Sequence, residues 1–155
     1  MKTLVLGLGN PILTDDSVGH RVAEEVRSRF DSPEIMVAET SLSGLSLLDL
    51  MAGYDRVIIV DAIQTVEGRV GQIYHIEPEV FDSTRHAASP HDVNFATVLE
   101  LGHRLKLDIP QQIDIFAIEV ADTSTFSEEC TPEIKKAVPD CAAMIMELLE
   151  RERNA

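Results

Sequence analysis

The chain has 155 residues, of which 45% are hydrophobic and 26% charged, and its formal net charge at pH 7 is −14. A chain of this length forms one domain with a buried core, so we predict a single domain over residues 1–155. The acidic charge disfavours nucleic acid and anionic membranes as partners, because both would repel the protein. No apolar run approaches the length needed to span a bilayer.

Cysteine usage and the start of the sequence bear on where the protein works. Cys130 and Cys141 are its two cysteines and form no CxxC motif, so we interpret them as free, structural thiols in a reducing cytoplasm. The first residues enter an apolar strand without the pattern of a secretory leader. We therefore expect a cytoplasmic protein. We also expect a monomer, because the predicted helices have polar outer faces.

The apolar patterning predicts strands that alternate with helices along the chain. The strands are expected at residues 4–8, 34–39, 56–61, 68–76 and 113–120, and the helices at residues 18–30, 43–53, 89–105 and 131–149. This alternation is typical of the α/β class. We predict a single three-layer domain with a twisted, mostly parallel sheet of about five strands and helices on both faces.

Local signals add detail to three of these elements. Ser17 is a candidate N-cap for the first helix, and Leu45, Leu48 and Met51 should share the buried face of the second. The strand at residues 68–76 follows a connection too short for a helical crossover. It should therefore run antiparallel to its neighbour or lie at an edge of the sheet.

Three polar side chains fall where an α/β sheet usually carries its chemistry. Asp16 follows the first strand, Asp61 ends the third predicted strand, and His91 follows the helix-start pair Ser89-Pro90. The carboxyl ends of parallel strands share one edge, where ligands bind, so these groups should lie close together. Two carboxylates and an imidazole suit a divalent ion such as nickel or zinc. They could instead act as a general base and orienting groups for the attack of water.

Each of these residues also has a structural interpretation. Asp15 and Asp16 could cap the free N–H groups at a helix start, Asp61 could stabilise a turn, and His91 could lie on the surface. We interpret the remaining histidines as structural or exposed; they are His20, His75, His86 and His103.

The glycines near the first strand permit a nucleotide-binding hypothesis. Gly7-x-Gly9 after a strand is part of a dinucleotide-binding turn, but Ile12 stands where the third glycine is required. The neighbouring acidic pair would also repel a pyrophosphate. Glu39, at the end of the second predicted strand, could still bind a ribose hydroxyl.

Taken together, these motifs resemble one known family. Three segments of the chain resemble the nickel–iron hydrogenase maturation endopeptidases. They are the opening Gly7-x-Gly9-Asn10-Pro11 followed by Asp15-Asp16-x-x-Gly19, the strand Val57–Ala62, and the segment Ser89-Pro90-His91. The resemblance covers most of the chain and keeps the motifs in order. It implies a cytoplasmic endopeptidase that removes a C-terminal extension from a hydrogenase large-subunit precursor after nickel insertion.

The resemblance also implies roles for the three candidate residues. Asp16, Asp61 and His91 match the family's metal-contacting positions, so they should contact nickel that the precursor carries and align the scissile bond beside it. A water activated by the metal or by a carboxylate would then attack the carbonyl carbon. The loop from Glu39 to Gly44 departs from the family pattern between residues 40 and 43, and we expect this loop to bear on the choice of substrate and not on the type of reaction.

Two other classes of protein stay open at this point. Gly7-Leu-Gly9-Asn10-Pro11 also resembles the start of peptidyl-tRNA hydrolases, although Asp16 and the net charge of −14 suit tRNA poorly. A non-catalytic α/β module that binds a metal or a nucleotide would use Asp61 and His91 for binding and would cut no peptide bond.

Overall fold

A computed structural model describes residues 1–84 and 94–154 of the chain, apart from the side chains of Ser83 and Thr84. The strands are β1 (Thr3–Leu8), β2 (Ile35–Thr40), β3 (Arg56–Ile63), β4 (Ile73–Ile76) and β5 (Gln112–Glu119). The α-helices are α1 (Val18–Arg29), α2 (Leu47–Met51), α3 (Pro78–Thr84), α4 (Phe95–Arg104) and α5 (Pro132–Arg153). Short 3₁₀ turns at Thr14–Ser17 and Gly44–Ser46 lead into α1 and α2.

The strands form one five-stranded sheet in the order β2-β1-β3-β5-β4. The pairs β1–β2, β1–β3 and β3–β5 are parallel, while β4 runs antiparallel to β5 at the edge. This confirms the mostly parallel sheet and the expectation for the fourth strand. Strand β4 is shorter than predicted, because the chain from Gly68 to Gln72 forms a loop and not part of the strand.

Apolar side chains cover both faces of the sheet, which confirms the three-layer prediction. One cluster joins Val5, Ile58 and Phe116 to helices α1 and α5. The second cluster joins Leu6, Ile59 and Ile115 to α2, α3 and α4. The central strands are apolar on both sides because helices exclude water from each face. Among the helices in the described ranges, none combines the length and apolar character of a membrane span.

Two local predictions held only in part. Ser17 occupies the N-cap position of α1, as predicted, but its side chain makes no capping hydrogen bond; its hydroxyl donates instead to the Thr14 carbonyl at 2.6 Å. Leu48 and Met51 are buried, but Leu45 is 48% exposed. Leu45 lies in a 3₁₀ turn, where three residues per turn replace the helical 3.6 and move its side chain off the buried face.

The predicted helix over residues 89–105 was also wrong in its extent. Helix α4 begins at Phe95, and the preceding Asn94 has a non-helical backbone. The Asp82 carboxylate accepts hydrogen bonds from the Phe95 and Ala96 N–H groups, both at 2.8 Å, and so caps α4 from α3. Helix α3 itself was not predicted. The proposed start at Ser89-Pro90 lies outside the described residues.

Candidate active site

The carboxyl ends of β1 and β3 form the centre of the candidate site. Gly7 of β1 is paired with Val60 of β3, so Leu8 and Asp61 follow side by side. The strand order reverses here, since β1 leads outward to β2 and β3 leads to the other half of the sheet. Such a switch point is where open α/β sheets bind ligands.

Asp61 does not end its strand, contrary to prediction. Strand β3 continues to Ile63, which pairs with Glu119 of β5. Asp61 is partly buried, and strand alternation places it on the face where Ile59 and Ile63 pack with the α2–α4 layer. A carboxylate with this placement is partly desolvated at the ligand-binding edge.

Asp16 lies in the 3₁₀ turn between β1 and α1, at the same edge of the sheet. Its N–H donates to the Leu13 carbonyl at 3.0 Å, and its carboxylate accepts a hydrogen bond from the Asn10 N–H at 2.9 Å. The side chain is only partly buried. Asp16 is therefore held by the turn and remains accessible to a ligand.

The adjacent Asp15 has a different role. It is fully buried, and its carboxylate accepts hydrogen bonds from the Thr131 N–H at 2.7 Å and the Asp122 N–H at 3.2 Å. The Thr131 hydroxyl donates to the same carboxylate. Thr131 is the N-cap residue of α5, so Asp15 caps a helix that lies 116 residues further along the chain. The capping interpretation thus holds for Asp15, although the helix is not the one expected.

Glycine packing brings α1 against the sheet at this edge. A Cβ atom on Gly7 would lie 2.3 Å from the Gly19 carbonyl oxygen, and one on Gly19 would lie 2.4 Å from the carbonyl oxygens of Leu8 and Val60. Neither position can hold a side chain without displacing backbone. The glycines of the opening motif therefore serve close helix–sheet packing, which places Asp16 above the ends of β1 and β3.

His20 and Glu39 contact the periphery of this region. The buried His20 ring uses Nε2 to bond the Gly9 carbonyl at 2.8 Å, which confirms a structural role. The Glu39 carboxylate pairs with Arg27 on the α1 side of the sheet, and this hydrogen bond raises the pKa of Arg27. Glu39 therefore faces away from the α2–α4 side, toward which Asp61 points.

The third candidate, His91, lies outside the described residues, as does His86. Residues 1–84 and 94–154 contain no group of three His, Cys, Asp or Glu side chains arranged to hold a metal. Of the other histidines, His103 is exposed. His75 pairs with Asp114 at 2.8 Å and stacks on Phe116. The described residues thus bring Asp16 and Asp61 to one edge and leave the position of His91 as a prediction.

Both cysteines are free and buried, which agrees with a structural role. Burial raises the pKa of the Cys130 thiol, and it raises the pKa of Cys141 to about 12. A thiol with a raised pKa is a poor nucleophile because the thiolate is the reactive form. The geometry therefore favours attack by an activated water over attack by cysteine.

A buried carboxylate at the end of β5 was missed by the sequence analysis. Glu119 is 2% exposed and accepts hydrogen bonds from the Thr65 N–H at 2.7 Å and the Tyr74 hydroxyl at 3.2 Å. Burial and the Glu119 charge both raise the pKa of Tyr74. The signal in the sequence was an acid that directly follows a run of apolar residues, as with Asp61. Here the carboxylate holds the loop between β3 and β4.

Comparison with known proteins identifies the family. The model for "hydrogenase maturation protease" matches residues 20–148, which is most of the chain. Hydrogenase 2 maturation protease of Escherichia coli K12 is 29% identical over 97% of this chain and 88% of its own length. The hydrogenase expression/formation protein HupD of Bradyrhizobium diazoefficiens is 25% identical over 88% of this chain and 72% of its own.

Solved structures agree with this fold. The hydrogenase maturating endopeptidase HybD from E. coli superposes with a TM-score of 0.83 at 24% identity, over 98% of this chain and 94% of that one. HycI from Thermococcus kodakarensis superposes with a TM-score of 0.73 at 24% identity, over 96% and 92%. The resemblance first found in the motifs is confirmed, and neither a peptidyl-tRNA hydrolase nor a non-catalytic binding module is supported. The chain belongs to the hydrogenase maturation protease family and is a peptidase.

Proposed function

We propose that this protein is an endopeptidase that removes a C-terminal extension from the nickel-loaded large-subunit precursor of a nickel–iron hydrogenase. Membership in the maturation protease family supports a hydrogenase precursor as the substrate. The observation that supports the proposal is the placement of Asp16 and Asp61 at the same edge of the sheet, beside the switch point between β1 and β3. We further propose that the enzyme acts as a cytoplasmic monomer.

In this proposal the nickel belongs to the substrate. Asp16 and Asp61 supply anionic oxygens and His91 supplies an imidazole, a donor set that suits a borderline divalent ion. Contact with the ion would place the neighbouring peptide bond beside the carboxylates. The metal or a carboxylate would then activate the water that attacks the scissile carbonyl.

Recognition of the metal would also provide selectivity. A precursor without nickel presents no cation to the accessible carboxylate of Asp16, so binding it would bury that carboxylate without the compensating charge of the metal. The enzyme would therefore discriminate against a precursor that has not been loaded.

Mass spectrometry of the precursor tests the proposal. Nickel-loaded and nickel-free large-subunit precursors are incubated with the wild-type enzyme, with His91→Ala and with His103→Ala, a control at an exposed position on α4. We expect wild type and His103→Ala to release one defined C-terminal peptide from the loaded precursor only. We expect His91→Ala to release none while its unfolding transition is unchanged. Equal cleavage of loaded and empty precursor would contradict nickel recognition, and normal cleavage by His91→Ala would remove His91 from the site.

A further inference from the structure

Two exposed apolar side chains lie in the loops beside the candidate site. Phe126 is 79% exposed and Ile12 is 46% exposed. Ile12 lies in the loop after β1 that leads to Asp16, and Phe126 lies in the loop between β5 and α5. We call these two side chains the apolar platform.

Backbone pairing sets the two members of the platform side by side. Leu13 and Ser127 form a parallel bridge, in which the Ser127 N–H donates to the Ile12 carbonyl and the Thr14 N–H donates to the Ser127 carbonyl, both at 3.0 Å. The residues that precede the bridge partners, Ile12 and Phe126, therefore occupy neighbouring positions in the same register.

The two loops are held together by several further contacts. Asp15 accepts hydrogen bonds from the loop at Asp122. The guanidinium of Arg21 donates to the Pro11 carbonyl at 3.2 Å and to the Glu128 carbonyl at 3.0 Å. A backbone that is already held in place loses little conformational entropy on binding, so the loops that carry the platform are preorganised for contact with a partner.

The platform is continuous with the candidate site. The Asp16 N–H donates to the Leu13 carbonyl, and the Asn10 side chain accepts from the Ile12 N–H at 3.1 Å. One turn of chain thus carries both the apolar side chain of Ile12 and the carboxylate of Asp16. The platform and the Asp16 carboxylate therefore belong to the same loop region beside the candidate site.

The size and charge of the surface select the occupant. Two apolar side chains offer at most a few hundred Å², whereas a stable interface between folded proteins buries about 1,200 Å² or more in total. Two copies of a chain with net charge −14 would also repel each other. A short polypeptide segment needs no such area, because the metal contact supplies part of its affinity.

We infer that the apolar platform of Ile12 and Phe126 binds an apolar side chain of the substrate polypeptide next to the scissile bond. This inference rests on the proposed function and names the part of the substrate that the platform recognises. The platform contributes affinity and positions the substrate polypeptide along the site, while Asp16 and Asp61 act on the metal and the peptide bond.

Steady-state cleavage and direct binding of the nickel-loaded precursor test the inference. We expect Phe126→Ser to raise KM about tenfold with unchanged kcat, as the loss of an aromatic anchor does at other interfaces. Phe126→Leu should restore most of the affinity, and Ile12→Ser should act in the same direction as Phe126→Ser. Leu105→Ser is the matched control, because Leu105 is 58% exposed and lies at the end of α4, in a loop that leads to the start of β5.

The outcomes separate the inference from the proposed function. If wild type cleaves and both serine variants of the platform keep wild-type KM and affinity, the inference is wrong and the proposed function stands. If the precursor binds more weakly to Phe126→Ser but wild type cuts nothing, the platform stands and the proposed function fails. A wild-type homodimer that Phe126→Ser dissociates, with KM unchanged, would assign the platform to a second copy and overturn the inference.

Discussion

The two edges of the sheet use charge in different ways. At the amino edge, Arg56 is fully buried and pairs with Asp114 at 2.6 Å and with Glu152 of α5. At the carboxyl edge, Asp16 and Asp61 are only partly buried, and Asp16 forms no ion pair within the part of the chain that the structure describes. The first edge compensates its charge internally, whereas at the second edge the Asp16 carboxylate stays accessible to a ligand.

The same contrast separates two adjacent residues at the carboxyl edge. The buried Asp15 accepts several hydrogen bonds from the protein, while Asp16 accepts one from the Asn10 N–H and stays accessible. Residue type and position in the sequence do not distinguish these two aspartates. Burial and partners do, and they indicate which carboxylate stabilises the fold and which is available for chemistry.

The largest effect on stability should follow loss of the amino-edge cation. Arg56→Ala leaves Glu152 without its ion-pair partner, leaves Asp114 paired with His75 alone, and removes a fully buried side chain. We expect the free energy of unfolding to fall by about 3 kcal/mol, the lower end for a broken buried pair, because both acids are partly exposed. Urea denaturation measures this value. Arg104→Ala breaks an exposed pair with Glu100 and should cost less than about 1 kcal/mol; equal losses would refute the contrast between buried and surface pairs.

The smallest expected effect concerns the cysteines. It tests whether the chemistry belongs to the carboxyl edge of the sheet and not to a thiol. Burial raises the pKa of Cys130 and raises that of Cys141 to about 12, so both thiols stay protonated at pH 8. Iodoacetamide at that pH should label neither cysteine in the folded enzyme and should leave cleavage unchanged. Mass spectrometry before and after unfolding in urea measures the labelling. Rapid native labelling accompanied by loss of activity would point to a thiol nucleophile.

Most of the sheet could be predicted from the sequence because its strands are apolar runs that need cover on both faces. The elements around the site were harder. A 3₁₀ turn precedes each of α1 and α2. The Ser17 hydroxyl bonds back into the first turn instead of capping α1, and the different period of the second turn moves Leu45 off the buried face. Strand β3 continues beyond its apolar run, because Ile63, two residues after Asp61, still pairs with Glu119.

The candidate site was predictable only in part, for a physical reason. The carboxyl edge itself follows from strand direction, so Asp16 and Asp61 could be placed there. The role of Asp15 depends on Thr131, a contact between residues 116 positions apart that no local pattern encodes. The apolar platform likewise depends on a bridge between Leu13 and Ser127. His91 stays a prediction from the motif.

The most direct test of the account compares Asp16→Asn with Asp15→Asn, each measured for cleavage of the nickel-loaded precursor and for stability to urea. Asparagine at position 16 can still accept the Asn10 N–H, so this variant should fold with wild-type stability and cut at least about a hundredfold more slowly. Asparagine at position 15 would lose the carboxylate charge. Its NH₂ group would also replace one carboxylate oxygen and face N–H donors, because the two oxygens of Asp15 accept from the N–H groups of Thr131, Ala121 and Asp122. That variant should lose about 2 kcal/mol of stability. If Asp16→Asn cleaves normally, or if it unfolds as readily as Asp15→Asn, the assignment of chemistry to Asp16 is wrong.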